Sequence, residues 1–261
     1  MKKIITILLV LLALCACGSK NETAGEKSAL ETIKEKGKIT VAMEGTWQPF
    51  TYHDENGDLV GFDVEVAKYI ADYIGVEVEY VEGEWDGLLM GVESGRYDML
   101  VNGVDVTDER KETYDFSDAY AYDKVVVMVR EDYDEIKTME DLAGKKTANT
   151  ISSTYAEIAQ KYDAEVTGVD DLTETIELLK AGRIDATLNA EVVYSDYVKT
   201  VEDAGVKIAC YADEVWDIAI PMKKGSDDLV TAVNEAIAQA HADGTLSALS
   251  QKYFGMDITV R

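Results

Sequence analysis

The sequence is short of basic residues, histidine and cysteine, and each shortage removes a class of function. Its 25 lysines and arginines face 51 acids, a formal net charge of −26. Nucleic acid is held by neutralising phosphates with cations, so this charge argues against any nucleic-acid partner. It suits instead a body held off an anionic envelope by its own charge. The two histidines, His53 beside a turn and His241 on a terminal helix, have no partner pattern. No Gly-x-Ser-x-Gly, P-loop or metal-ligand spacing occurs, so neither a catalytic centre nor a cofactor is expected. Of the three cysteines, Cys15 and Cys17 fall in the N-terminal segment and only Cys210 remains. An intramolecular disulfide is therefore not expected, and Cys210, inside an apparent strand, reads as a small buried hydrophobe.

Long apolar runs are missing too. The run over residues 4–14, behind Lys2 and Lys3, is too short to span a bilayer and reads as a secretory signal. It ends in Leu14-Cys15-Ala16-Cys17. That tetrapeptide resembles a bacterial lipobox, whose cysteine becomes a diacylated N-terminus. The expectation is a signal peptide over 1–16, a lipid on Cys17 and a small, polar tether over 17–29. An ordinary signal peptide with an incidental Cys17 is the alternative.

What is present is an alternation of helix and strand patterns. The stretch 84–120 carries most of the information. Trp85, Leu88, Leu89 and Val92 form one apolar helical stripe that Gly95 ends, and 97–101 reads as a buried strand. Thr107 is an N-cap with Asp108 and Glu109 behind it. Arg110 sits in that same first turn, where a cation opposes the helix dipole, so it is expected to face something negative. Ligands of open α/β sheets lie beyond the strands' carboxyl ends, which makes Arg110 the first candidate site residue. Asp63 is expected to cap the helix that carries Val66, Ile70 and Ile74. One echo implies two lobes on one plan. Gly95-Arg96-Tyr97-Asp98 is matched by Gly182-Arg183-Ile184-Asp185, each pattern following a helix and preceding a strand that ends in Asn102 or Asn189.

Several ordered motifs carry a resemblance over the whole mature chain. They are Trp47-Gln48-Pro49-Phe50, Gly61-Phe62-Asp63-Val64-Glu65, Trp85-Asp86-Gly87-Leu88-Leu89, Thr107-Asp108-Glu109-Arg110, Tyr114-Asp115-Phe116-Ser117 and Lys252-Tyr253-Phe254-Gly255. The sequence resembles the family 3 extracellular solute-binding proteins, the polar amino-acid receptors of ABC importers. The resemblance implies an α/β, two-lobed periplasmic-binding-protein type II fold with two crossover hinge strands. Lobe 1 is expected over 30–124 and 223–261, lobe 2 over 131–215, and the hinge strands at 125–130 and 216–222. The implied partners are a small amino-acid ligand, ABC permease subunits and, through the lipid, the membrane's outer face; the protein is expected to act as a monomer.

Arg110 matches the family arginine that grips the ligand carboxylate, for which a planar fork is suited. A surface ion pair with Asp108 or Asp115 is the competing reading. Trp47 and Trp85 match the aromatic walls, with core packing the alternative for Trp85. Ser152 and Ser153 lie in a loop feeding a helix N-terminus, an anion site by geometry, and Thr154 with Glu157 reads as a capping box. Glu44 and Asp105 match positions lining the first lobe, and Asn102, Gly103 and Asn189 are expected to offer amide or backbone groups. The pattern departs at Ala190, where the family commonly has an acid. Either Glu191 or Asp105 then takes the ligand ammonium, or the ligand is not a plain α-amino acid. The two tryptophans suggest cystine or another bulky amino acid. An alternative is a cyclohexadienyl-type dehydratase on the same scaffold, with Glu44 or Asp105 as proton donor.

Overall fold

The computed structural model describes residues 27–261. The expected signal peptide, Cys17 and most of the tether lie outside the described residues. The first lobe is built from α1 (Ala29–Lys36), β1 (Lys38–Met43), β2 (Thr46–Trp47), β3 (Thr51–His53), β4 (Leu59–Val60), α2 (Phe62–Ile74) and β5 (Glu77–Glu82). It continues through α3 (Trp85–Glu93), β6 (Met99–Leu100), α4 (Asp108–Thr113) and β7 (Tyr114–Phe116). The second holds β8 (Ala121–Arg130), β9 (Lys146–Asn149), α5 (Thr154–Lys161), β10 (Glu165–Gly168), α6 (Leu172–Lys180), β11 (Ala186–Ala190), α7 (Glu191–Thr200) and β12 (Val206–Ile218). The chain then returns to the first lobe with β13 (Pro221–Lys223), α8 (Asp227–Ala242) and α9 (Thr245–Phe254), and α8 and α9 pack against α2.

The two main sheets repeat one order. The first runs β5-β1-β6-β13-β7 and the second β10-β9-β11-β8-β12. In each, three parallel strands come first and an antiparallel strand follows, β13 beside β6 and β8 beside β11. The sequence echo has a structural cause. After α3, the Asp98 carboxylate accepts the Thr40 N–H at 2.8 Å while its own N–H donates to the Thr40 carbonyl. After α6, Asp185 makes the same two bonds to Lys146, the carboxylate one at 2.9 Å. Each aspartate thus clips a helix-to-strand turn onto the neighbouring strand, because the turn's backbone would otherwise leave that edge unpaired.

Apolar burial follows the same plan. In the first lobe Ile39, Val41, Phe62, Ile70, Met99 and Val233 are buried between the sheet and its helices. In the second, the unbroken run of β8 divides its faces, with Val125, Val127 and Val129 in one cluster and Val126 and Met128 in another. A strand covered on both faces needs such continuity. Cys210 is half-buried rather than buried and packs against the first of these clusters, its thiol pushed up to about 11 by burial.

Two expectations about elements need correction. Residues 125–130 are not a crossover, because they pair with β11 on one side and β12 on the other, inside the second sheet. Both passages are shorter than expected and the first is earlier, at 117–120 and 219–220, and they are tied together where Ser117 N–H donates to Ile220 O and Tyr120 N–H to Ile218 O, both at 3.0 Å. The second passage falls within the expected 216–222. Asp63 does not cap α2. The helix begins at Phe62 after Gly61, whose φ of 138° and close approach to the Phe50 carbonyl admit no side chain. Asp63 points inward and is fully buried.

Candidate ligand site

The ends of parallel strands set the first half of the site. β1 and β6 pair in register, Ala42 opposite Leu100, so Glu44 and Asn102 emerge side by side. Asn102 spends its amide on that neighbour. Its Nδ2 donates to the Glu44 carboxylate at 2.7 Å, and its Oδ1 accepts the Glu44 N–H at 2.8 Å and the Thr51 hydroxyl at 3.2 Å. Asn102 lines the cleft, and its amide braces Glu44 there. Burial pushes the Glu44 carboxyl up, the Asn102 bond pulls it down, and the charge of Asp171 raises it again.

Gly103 also lines the cleft, while its N–H donates to Asp63 Oδ2 at 2.6 Å. Its φ is +55°, and a Cβ there would stand 2.5 Å from the Trp47 ring. A glycine is required so that Trp47 can lie against the strand end. Trp47 stacks on Phe50 at 4.3 Å between ring centroids and lines the cleft. The Trp85 ring packs with Leu88 and Val92 and also lines the cleft. Its indole N–H is buried without a partner.

Arg110 is 8% exposed, on a helix whose N-cap, Thr107, accepts the Arg110 N–H at 3.1 Å. The guanidinium turns away from both suggested surface partners, since Asp108 pairs with Lys111 and Asp115 with Lys224. It donates instead to the Asp105 carbonyl at 3.0 Å and, across the gap, to the Ser152 carbonyl at 3.1 Å, and it lies 5.3 Å from the centre of the Trp85 ring. It lines a cleft between the lobes of about 670 Å³, counting the space open to solvent at the mouth.

The second lobe supplies the facing wall. Ser152 hydrogen-bonds Asp86 through its hydroxyl, and Ser153 caps α5 by accepting the Ala156 N–H at 3.2 Å. The cap is therefore one residue earlier than the expected box, and Thr154 is released to bond across the gap to Asp105. Asp105 is buried. One carboxylate oxygen accepts from Thr154 and the other has no partner. Burial pushes its carboxyl up to about 6, against the lowering effects of Thr154 and Arg110, while Glu157 adds a further raising charge.

Asn189 lines the cleft as expected, with its Oδ1 accepting the Ala190 N–H. Glu191 does not: it begins α7, accepts the Tyr211 hydroxyl at 3.1 Å and lines a separate groove on the hinge side. The strand ends at Ala190, so the next side chain is carried round by the helix, away from the cleft. Sequence reasoning missed Thr154, Tyr155, Asp170, Asp171 and Leu172, all of which line the cleft. The internal echo held a signal for two of them, because the offset from Arg96 to Arg183 also takes Trp85 to Leu172 and Glu84 to Asp171. Among the described residues no group of three or more His, Cys, Asp or Glu side chains is placed to hold a metal, and no helix is long and apolar enough to cross a membrane.

Two α/β lobes on one topology, joined by a double crossover and closing on a buried arginine, define a two-lobed binding protein. Residues 39–256 match the family model described as bacterial extracellular solute-binding proteins, family 3, and the chain belongs to that family. The L-cystine-binding protein TcyA of Bacillus subtilis (strain 168) is 38% identical over 253 residues, 95% of this chain and 94% of that protein. Among solved structures, the substrate-binding protein AbpA from Streptococcus pneumoniae bound to L-arginine is 32% identical with a TM-score of 0.80, covering 87% of this chain and 99% of its own. The L-cystine solute receptor of Neisseria gonorrhoeae in its unliganded open conformation is 40% identical, yet its TM-score is 0.62 over 90% of this chain and 100% of its own. The chain thus superposes better on a less similar, ligand-bound relative than on a more similar open one. Together with the bonds from Arg110, Thr154 and Ser152 across the gap, this describes closed lobes.

Proposed function

We propose that the protein is an extracytoplasmic receptor that traps a polar amino acid between its lobes and delivers it to an ABC importer. The observation that carries the proposal is the Arg110 guanidinium, buried between the lobes and bonded to both. Its remaining N–H groups offer a fork for the ligand carboxylate, while Trp47 and Trp85 cover the ligand's body. Asp105 takes the ammonium that the absent acid at Ala190 would have held, through its unpartnered oxygen. A zwitterion that touches both lobes binds the closed form better than the open one, which is the differential affinity that closure requires.

The cleft's remaining acids, Glu44, Asp170 and Asp171, favour a ligand with a second cationic group. L-Cystine, with an ammonium at each end, meets this, as does L-arginine. The relatives named above for binding those two amino acids support the choice. Cys17 carries the lipid that tethers the receptor beside its permease, and the receptor works as a monomer. A dehydratase on this scaffold is not favoured, since the curated relative matched along the full length is named as a binding protein.

A thermal-shift screen over the amino acids and L-cystine tests the reading. A ligand that binds only the native state at a hundred times its Kd stabilises by about 2.7 kcal/mol. No shift with any of them, together with conversion of prephenate to phenylpyruvate, would overturn the receptor in favour of the enzyme.

A further inference from the structure

A second buried acid stands beneath the ligand cleft without lining it. Asp123 lies on β8 just past the first passage, opposite Trp216 on β12, and is 4% exposed. Its Oδ2 accepts the Tyr155 hydroxyl at 3.0 Å. The residue before Tyr155 is Thr154, which bonds Asp105. Two consecutive residues at the start of α5 therefore hold two carboxylates, Asp105 from the first lobe and Asp123 from the start of β8 in the second. Both bonds come from neutral hydroxyls, and the Arg110 guanidinium donates to the Asp105 and Ser152 backbone carbonyls.

The charges around Asp123 do not neutralise it. Burial takes its carboxyl well above the carboxylate range, the charges of Asp105 and Glu191 raise it further, and the Tyr155 hydroxyl offsets part of this. Lys124, Glu191, Asp257 and Arg261 share with it the wall of the hinge-side groove, and Arg261 is paired to Asp217. Inside the closed cleft Arg110 offsets Asp105, and a zwitterionic ligand adds no net charge. An ionised Asp123 would then be a surplus buried anion, which folded proteins avoid by neutralising the group. Asp105 stands on the first lobe and Asp123 on β8 of the second sheet, so the raising effect of the Asp105 charge depends on the lobes being together.

We propose that Asp123 is a proton-binding site filled as the lobes close, so that one proton is taken up from solvent for each ligand captured. The inference rests on the receptor reading above. The hinge-side groove, which reaches Asp123, is the route by which the proton arrives. The direction of the pH effect follows: a group whose proton affinity rises on closure favours the closed form at low pH and ceases to do so as pH rises through its closed-state pKa.

Calorimetric titration of the protein with L-cystine at pH 6.5, in two buffers of different ionisation enthalpy, tests this. The apparent enthalpies should differ by the heat of up to one buffer proton per ligand, and affinity should weaken by up to about tenfold per pH unit between pH 6 and 7, below the range in which the ligand's own ammonium groups titrate. Asp123→Asn keeps the shape of the protonated acid and should bind with one enthalpy in both buffers. Buffer-independent heat in the wild type overturns the proposal whether or not the variant folds, as does full proton uptake retained in Asp123→Asn. Absence of binding heat in both buffers overturns the receptor reading for this ligand instead.

Discussion

Replacing Arg110 by lysine keeps the charge and removes the fork, so it isolates geometry from Coulomb attraction. In the structure the guanidinium reaches the Asp105 carbonyl at 3.0 Å and the Ser152 carbonyl at 3.1 Å and lies over the Trp85 ring. A lysine ammonium can reproduce one of these directions. The variant loses the interlobe bond to Ser152 and one limb of the carboxylate grip, and regains one bond through its own ammonium. A hydrogen bond to a charged group contributes about 1.5–3 kcal/mol, and an exposed-to-desolvated cation–π contact about 0.5–2 kcal/mol. The net loss should be about 3 kcal/mol, roughly a hundredfold in Kd. The unliganded melting temperature should move little, because most of the lost contacts lie between the lobes rather than in either core; a change of about 1 kcal/mol corresponds to roughly 2–4 °C at this size. Titration calorimetry with L-cystine and a melt of the same sample measure both quantities. Affinity held within threefold of wild type would refute the assignment of Arg110 as the ligand's anchor, and a collapsed melt would refute the separation of site from core.

Gly103→Ala should cost at least tenfold in ligand affinity, read by the same titration, because the new methyl pushes the Trp47 ring out of the wall 2.5 Å away. Glu191→Gln should change affinity less than twofold, since that carboxylate faces Tyr211 outside the cleft; a large loss would return Glu191 to the site. Asp63 has its carboxyl pushed up to about 7 by burial, against the bonds from Tyr120 and Gly103. Because its folded-state pKa is raised above the unfolded value near 4, its contribution to stability is present at low pH and lost as pH rises toward 7, at up to about 1.4 kcal/mol per unit. Urea unfolding between pH 5 and 8 should therefore show a steeper decline for the wild type than for Asp63→Asn; parallel curves would remove Asp63 from the pH dependence.

The elements that local pattern specifies were readable. Period and caps gave α3, α4 and the terminal helices, and the doubled Gly-Arg-x-Asp gave two lobes on one plan. Arg110 was legible because a cation in the first turn of a helix opposes the local dipole, an inconsistency that points outward from the helix itself. What failed were assignments in which a side chain had two local uses. Asp63 and Thr154 both looked like helix caps, and both are used by partners remote in sequence: Asp63 by Gly103 and Tyr120, Thr154 by Asp105. The bond that holds Asn102 to Glu44 in the cleft wall was not readable either, because strand register sets it.

The chain order of apolar stripes, turn residues and charge therefore determined the class of fold, the repeat and the arginine at its centre, since each is written within a helix turn or a strand's length. The facing of the lobes decided the rest: which acid is dry, which hydroxyl spans the gap, and that Glu191 turns away while Asp171 turns in. Those outcomes depend on contacts between residues tens of positions apart, whose free energies arise only when closure removes water from both sides at once.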